Sequence, residues 1–136
     1  MMFDRLTAWA PQMLSVLRIM TALLFLEHGT MKLLDFPHGE MGQPPLLSLM
    51  GLQGIIELVG GILLALGLFT RPVAFILSGN MAVAYFMAHA PQSFFPALNS
   101  GDAAILYCCV FLYFVFAGPG PWSVDAVRHR REAVTA

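Results

Sequence analysis

The sequence predicts an all-α membrane protein, an antiparallel bundle of four transmembrane helices with both termini in the cytoplasm. The chain is 58% hydrophobic and only 11% charged, whereas soluble domains carry about 25% charged residues. Its apolar residues form four segments of roughly the 20 residues that a helix needs to cross a bilayer, and Pro and Gly residues separate them. Four such segments leave room only for short loops, so we expect one membrane domain over residues 1–136.

The four apolar segments are predicted to span the membrane at about residues 13–34, 47–69, 73–90 and 102–116. The first has no clean small-residue cleavage site and is longer than the apolar core of a signal peptide, so we expect it to be retained. The second and third are joined by a tight turn at residues 70–72, which makes them antiparallel neighbours. Pro72 supports this interpretation, because a proline removes an amide donor and favours a break or a helix start.

The basic residues predict the orientation. With an even number of spans, both termini lie on the same side. That side holds most of the basic residues: Arg5, Arg71, Arg128, Arg130 and Arg131. On the opposite side only Lys32 lies at the edge of a span. Because cytoplasmic loops are enriched in Lys and Arg, we place both termini in the cytoplasm. The net charge of −1 gives no reason to expect nucleic acid as a partner.

Five ionisable residues lie within or at the edge of the predicted spans: Arg18, Glu27, His28, Lys32 and Glu57. Ionisable groups in a bilayer are costly and usually face a partner or a functional site. Glu57 lies about ten residues from the outer edge of its span, which is ~15 Å and close to the midplane. Arg18 from the inner side or Lys32 from the outer side could pair with it. Two interpretations stay open: an ion pair that holds the bundle together, or a proton-accepting group at a ligand pocket.

Helical spacing brings further polar residues into register. His28 and Lys32 are four residues apart and share a face of the first span, as Tyr85 and His89 do in the third. His89, at the end of its span, is also typical of an interfacial residue. The candidate catalytic residues are therefore Glu57 and His28, and the candidate ligand-binding residues are Lys32, Arg18, Tyr85 and His89.

The sequence predicts no metal site, because its His and acidic residues form no ligand motif such as HExxH, and no glycine-rich nucleotide loop is present. Cys108 and Cys109 are adjacent and lack the CxxC spacing of redox or metal sites. We expect them to be packing residues, and a redox role stays open. The glycines of the second span predict close helix packing, with a gap beside Gly60 and Gly61 for a flat ligand as the alternative.

Several stretches resemble one known family. They are Arg18 with EHGTMKL at residues 27–33, ELVGGILLALGLFTRP at 57–72, MAVAYFMAHAP at 81–91 and GPGPWSVD at 118–125. In this combination, over nearly its whole length, the chain resembles the DoxX family of small bacterial membrane proteins. The resemblance implies a four-helix bundle in the bacterial inner membrane. It also implies a link to quinone-coupled redox chemistry, including a subunit of a thiosulfate:quinone oxidoreductase, or to oxidative-stress complexes with soluble partners. The matching positions are Arg18, His28, Lys32, Glu57, Arg71 and His89.

Our leading hypothesis is a component of a quinone-linked membrane oxidoreductase or oxidative-stress redox system. A quinone from the membrane pool would enter in the outer half, where His28 or Tyr85 hydrogen-bonds a carbonyl and Lys32 stabilises the reduced oxygen. Glu57 would exchange the accompanying proton, because reduction in lipid without protonation strands a charge. Electrons would come from a partner, since no cofactor motif is present. The alternatives are a non-enzymatic membrane anchor or scaffold that recruits a partner and, ranked lower, a small-molecule or proton carrier. A homo-oligomer also stays open.

Overall fold

The computed structural model of the protein describes residues 3–40 and 42–135, and within these ranges all regular structure is helical, with no strand. The all-α prediction is therefore confirmed for the described residues. The α-helices are α1 (Asp4–Thr7), α2 (Ala10–Leu34), α3 (Leu49–Leu66), α4 (Thr70–Ala84), α5 (Pro96–Asn99), α6 (Asp102–Ala117) and α7 (Val124–Thr135). A short π-helix, Tyr85–His89, continues α4.

Within the described part of the chain, three helices are long and apolar enough to cross a membrane: α2, α3, and α4 together with its π-helical extension. The fourth apolar helix, α6, has 16 residues. Large apolar side chains are exposed on the outward faces of these helices, among them Leu23, Ile62 and Phe75. Exposed apolar surface of this extent marks a face that contacts lipid or a partner. In helices of this length and composition the lipid contact is expected.

The helices pack as two pairs, α2 on α3 and α4 on α6, which are joined where α3 packs on α4. Aromatic side chains join α2 to α6, because the Phe25 ring lies 5.3 Å from the Tyr107 ring and 4.9 Å from the Phe111 ring. The buried apolar cluster at the centre consists of Ala22, Phe25, Leu64, Ala74, Leu77, Met81, Phe111 and Phe114. All four long helices contribute to it, so the bundle has one core.

Glycines of α3 explain how closely its neighbours approach. A Cβ atom added to Gly60 would lie 2.6 Å from Cδ2 of Leu77 on α4, and one added to Gly61 would lie 3.0 Å from Cβ of Leu26 on α2. The expected close packing is confirmed at these positions. The alternative, a gap for a flat ligand beside Gly60 and Gly61, is wrong because Leu77 and Leu26 occupy that space.

The turn between α3 and α4 lies earlier in the chain than predicted. Gly67 and Phe69 have positive φ angles of 66° and 51° and reverse the chain, so residues 70–72 already belong to the first turn of α4. The amides of Phe69 and Thr70 donate hydrogen bonds of 3.0 and 2.8 Å to the carboxylate of Asp125. Because the first amides of a helix have no intrahelical partner, this distant carboxylate lets α4 begin at Thr70.

Candidate functional site

The buried carboxylate of Glu57 pairs with Lys32. The Lys32 Nζ atom lies 2.8 Å from both carboxylate oxygens of Glu57, and the side chains are 15% and 3% exposed, respectively. Gly54 on α3 makes room for this approach, since a Cβ atom there would lie 3.1 Å from Cβ of Lys32. Of the two basic residues that the sequence left open, Lys32 is the partner. A compensated pair of this kind avoids the large cost of a single buried charge.

His28 lies on α2 one turn before Lys32, with its side chain exposed. Its Nδ1 atom lies 3.0 Å from the carbonyl oxygen of Leu24. Because a carbonyl can only accept, Nδ1 carries the proton in this contact. The ring meets that of Tyr107 on α6 edge to face, with centroids 6.0 Å apart. His28 therefore lies where α2 and α6 come together.

Tyr107 is a member of this cluster that sequence reasoning did not select. It lies half-buried between Phe25 and His28, and its hydroxyl makes no hydrogen bond to any residue that the structure describes. The apolar residues of α6 surround the helix on all sides, so its sequence does not indicate which face turns toward α2. Only the packing brings this phenol next to the candidate residues.

Arg18 does not reach Glu57. Its fully buried guanidinium donates from Nε to Pro119 O (2.7 Å), from Nη1 to Leu64 O (2.5 Å) and Ala65 O (2.6 Å), and from Nη2 to Trp122 O (2.5 Å). These carbonyls belong to the C-terminal end of α3 and to the segment after α6. Arg18 thus satisfies the last carbonyls of a helix, where a positive charge is favourable, and its role is to hold the C-terminal segment.

Tyr85 and His89 belong to a separate cluster around Asn99. The His89 Nδ1 atom lies 2.9 Å from the Asn99 carbonyl oxygen, and Asn99 Nδ2 donates to the Tyr85 hydroxyl (3.4 Å) and to Ser93 O (2.8 Å). The rings of Tyr85 and His89 stack with centroids 6.3 Å apart. Within the described residues, none of these contacts reaches the Lys32–Glu57 pair. The cluster connects the π-helix to the segment before α6. Asn99 is buried, and no sequence motif predicted its role.

The described residues contain no group of three or more His, Cys, Asp or Glu side chains placed to hold a metal ion. Cys108 and Cys109 are both free thiols. The Cys108 Sγ atom lies 3.4 Å from the Ser78 hydroxyl, which itself donates to the Cys108 carbonyl (2.9 Å). These contacts join α4 to α6, as expected of a packing residue.

Asp125 organises the end of the bundle that carries most of the arginines. Its carboxylate accepts hydrogen bonds from the two amides at the start of α4. Arg128, three residues further along the chain, lies over the Phe69 ring, with its Cζ atom 5.4 Å from the ring centroid. Burial alone would raise the pKa of the Asp125 carboxyl. The hydrogen bonds from Thr70 and Phe69 and the charge of Arg128 outweigh burial and hold that pKa below its ordinary value. Arg71 at this end donates to the carbonyls of Val115 and Phe116, so it closes α6.

Comparison with known proteins identifies the family. The DoxX family model matches residues 13–90, which include most of α2 and all of α3 and α4. An uncharacterized protein of Haemophilus influenzae is 47% identical over 131 residues, covering 90% of this chain and 95% of its own. An uncharacterized membrane protein of Mycobacterium tuberculosis is 25% identical over 137 aligned residues, covering 88% of this chain and 83% of its own. No solved structure matches. The resemblance noted in the sequence is confirmed, and the chain belongs to the DoxX family of membrane proteins.

Proposed function

We propose that this protein is a multi-pass subunit of the bacterial inner membrane that binds a quinone and works in a quinone-linked redox system. The observation that carries the proposal is the cluster of Lys32, Glu57, His28 and Tyr107. It combines a buried carboxylate–ammonium pair with an imidazole and a phenol at the α2–α6 boundary. Titratable groups at this depth in a membrane protein mark ligand or proton sites.

The proposed topology has four spans, with α6 as the fourth and both termini in the cytoplasm. At ~1.5 Å of rise per residue, the 16 residues of α6 extend about 24 Å, somewhat less than the ~30 Å hydrocarbon core. The charge distribution supports the orientation, because Arg71 closes the end of α6 that leads into the C-terminal segment, and α7 in that segment carries the run of arginines. Lys32 lies toward the opposite end and is held by Glu57, so it contributes little to orientation.

A quinone headgroup would bind from the lipid side, against the boundary of α2 and α6. The cavity next to Lys32 measures about 50 Å³, whereas enclosed small-molecule sites measure about 300–1,000 Å³. The exposed His28 and the half-buried Tyr107 offer a polar surface that a ligand in the bilayer can reach directly. Tyr85, which we expected to serve as an alternative to His28, lies in the Asn99 cluster instead, so Tyr107 takes its place in the proposal.

Each residue has a distinct chemical role in the proposed site. The Tyr107 hydroxyl donates a hydrogen bond to a quinone carbonyl, and the Nε2 atom of His28 accepts one from a quinol hydroxyl. Glu57 accepts and releases a proton, and the Lys32 ammonium compensates the charge of the carboxylate when the proton is released. A bound quinone supplies the redox chemistry by accepting two electrons and two protons. A redox partner, soluble or in the membrane, supplies the electrons.

Mass spectrometry of the purified protein tests the ligand, with an unrelated membrane protein as the control for adventitious lipid. We expect near-stoichiometric quinone. Tyr107→Phe removes a hydroxyl without breaking any contact among the described residues, so it should fold normally and bind quinone up to about tenfold more weakly, the worth of one hydrogen bond. The matched control is Tyr113→Phe on the exposed face of α6. No quinone enrichment in the native protein would reject the proposal.

Turnover tests the role of Glu57. In membranes that contain the redox partner, Glu57→Gln should abolish quinone-dependent turnover per folded protein, measured well below the lowered melting temperature of the variant, and leave quinone binding in place. Asp102→Asn, an exposed acid at the start of α6, serves as the control and should keep full activity. Retained turnover per folded protein in Glu57→Gln would remove Glu57 from the mechanism.

A non-enzymatic anchor or scaffold is the second candidate. It is favoured by the way these buried charges are already satisfied: Arg18 is enclosed by four carbonyls, and Lys32 contacts both oxygens of Glu57. This hypothesis expects that a neutral Lys32→Met/Glu57→Gln pair still supports accumulation and activity of the partner. The quinone hypothesis expects a folded but inactive assembly from the same variant.

A further inference from the structure

We infer that Glu57 exchanges protons with water at one end of the bundle only, through a polar inlet that opens at the loop between α2 and α3 and reaches the carboxylate past Lys32. This inference deepens the proposed function, and its consequence for redox turnover rests on that function. The packing and the exposure of the residues indicate the inlet by themselves, and it can be tested without any ligand.

The inlet is a small cavity of about 50 Å³ bordered by Met31, Lys32, Asp35, Gly39, Glu40 and Gly42. A single water molecule needs about 10–15 Å³ of such space and two or more polar partners. Three of the six bordering residues, Lys32, Asp35 and Glu40, carry charged groups. At the rim, His38 Nδ1 lies 2.8 Å from Asp35 Oδ2, and the His38 side chain is 83% exposed. The cavity is therefore large enough for water, and charged residues at its border can serve as hydrogen-bond partners.

Lys32 lies between this cavity and Glu57. Its side chain is 15% exposed and borders the cavity, whereas Glu57 is 3% exposed and does not. The Lys32 Nζ atom contacts both carboxylate oxygens. A proton that arrives from the loop therefore meets Lys32 first and reaches Glu57 when the ammonium moves aside. Two further titratable side chains lie near this pair: His28, one turn earlier on the helix that carries Lys32, and Tyr107 on α6, whose ring meets that of His28.

The opposite direction is closed by packed apolar residues. One turn below Glu57, Gly60 and Gly61 are buried and in contact with Leu77 and Leu26. Leu64, one turn further, is fully buried. Beyond Leu64, the guanidinium of Arg18 donates to the carbonyls of Leu64 and Ala65. Interiors packed this closely leave no room for a chain of water, so the described residues provide no route from Glu57 to the arginine-rich end.

The step assigned to Glu57 is a plain proton transfer. A hydronium ion in the inlet gives one proton to the carboxylate and leaves water, and the reverse step releases the proton to the same side. No electron moves and no covalent bond other than O–H changes. With the proposed topology, the inlet faces the non-cytoplasmic side, so protons that accompany the redox reaction are exchanged there.

Cysteine accessibility tests the inlet. The background carries Cys108→Ala and Cys109→Ala, and a charged, membrane-impermeant methanethiosulfonate is applied to spheroplasts and to inverted membrane vesicles. Lys32→Cys is combined with Glu57→Gln so that no charge is left unpaired. Glu40→Cys marks the loop face, Arg130→Cys marks the tail face, and Leu64→Cys probes the closed side.

We expect position 32 to react at least tenfold faster from the face that labels position 40 than from the face that labels position 130, and position 64 to react from neither. Met31→Cys borders the inlet and leaves the ion pair intact, so it should show the same sidedness even if the Lys32 variant folds poorly. If positions 31 and 32 are both unreactive, or if position 64 is labelled from the tail face, the inference is overturned. The labelling experiment uses no quinone. If the protein labels as expected but no quinone co-purifies with it, the proposed function is rejected and the inlet is retained.

Discussion

Arg18 and Trp122 lie 104 residues apart in the chain, and Arg18 Nη2 donates a hydrogen bond of 2.5 Å to the Trp122 carbonyl. The same guanidinium binds the carbonyls at the end of α3 and that of Pro119. One buried side chain thus joins α2, the end of α3 and the segment that leads into α7. Because this segment has little regular structure of its own between Gly118 and Ser123, its position depends on Arg18.

Arg18→Lys should release the C-terminal segment. A lysine has no planar fork and can satisfy at most some of the four carbonyls, and each buried carbonyl that loses its partner costs about 1–3 kcal/mol. We expect a loss of at least about 2 kcal/mol, measured as the melting temperature in detergent, together with faster chymotrypsin cleavage at Trp122. Arg71→Lys, at an exposed arginine that also donates to carbonyls, is the control and should change little. Unchanged cleavage at Trp122 in Arg18→Lys would contradict this role.

Lys32 and Glu57 should behave as one energetic unit. Removing one partner of a buried ion pair leaves a charge without compensation and costs about 3–5 kcal/mol, whereas removing both often costs little. We therefore expect Lys32→Met and Glu57→Gln each to lower stability strongly, and the double variant to recover most of the loss. A double-mutant cycle of unfolding free energies measures the coupling. Additive single effects would show that the two groups do not depend on each other.

The membrane class could be predicted from the sequence because it depends on composition and on the distribution of Arg and Lys. The importance of Glu57 could be predicted for the same reason, since an acid within an apolar segment is visible without knowledge of the fold. Its partner could be narrowed to Arg18 or Lys32. Choosing between them required the depth and rotation of two helices, which depend on tertiary packing.

Other features depend on groups that carry no sequence signal. The partners of Arg18 are backbone carbonyls, which every residue has, so its role in holding the C-terminal segment could not be predicted. The turn before α4 was misplaced because Asp125, more than fifty residues away, provides the acceptor for its first amides. Tyr107 was missed because α6 is apolar on all sides and its rotation is set by the contact of Phe111 with Phe25.

Gly29 should tolerate no side chain, whereas Gly79 should accept one. A Cβ atom at Gly29 would lie 2.6 Å from the backbone nitrogen of Leu58, and one at Gly79 would have no neighbour within 4 Å. Gly29→Ala must push α2 and α3 apart next to the ion pair, so we expect a loss of about 2 kcal/mol or more. Gly79→Ala should be neutral or gain up to about 1 kcal/mol from helix propensity. Melting temperatures of the two variants give the comparison, and equal effects would argue against close packing at Gly29.

Asp125 should make the arginine-rich end of the bundle sensitive to acid. Its pKa in the folded protein lies below the ordinary value because the Thr70 and Phe69 amides and the charge of Arg128 favour the ionised form despite partial burial. A carboxyl with a lowered pKa stabilises the folded state above its unfolded pKa of about 3.9, and the contribution is lost as the pH falls through the lower folded value. Stability from this group should therefore be constant from pH 7 to about pH 5 and decline below about pH 4.

Substitution of Asp125 separates its contribution from that of other acids. Asp125→Ala removes both acceptors from the start of α4 and should cost about 1–2 kcal/mol, in the range measured for helix caps. Asp125→Asn keeps one acceptor, so it should cost less at neutral pH and should reduce the stability lost below pH 4. Melting temperatures between pH 3 and pH 7, with Glu132→Gln on the exposed side of α7 as the control, measure both effects. If Asp125→Asn and the native protein lose the same stability on acidification, the cap contributes nothing to the pH response, and other carboxyl groups must account for it.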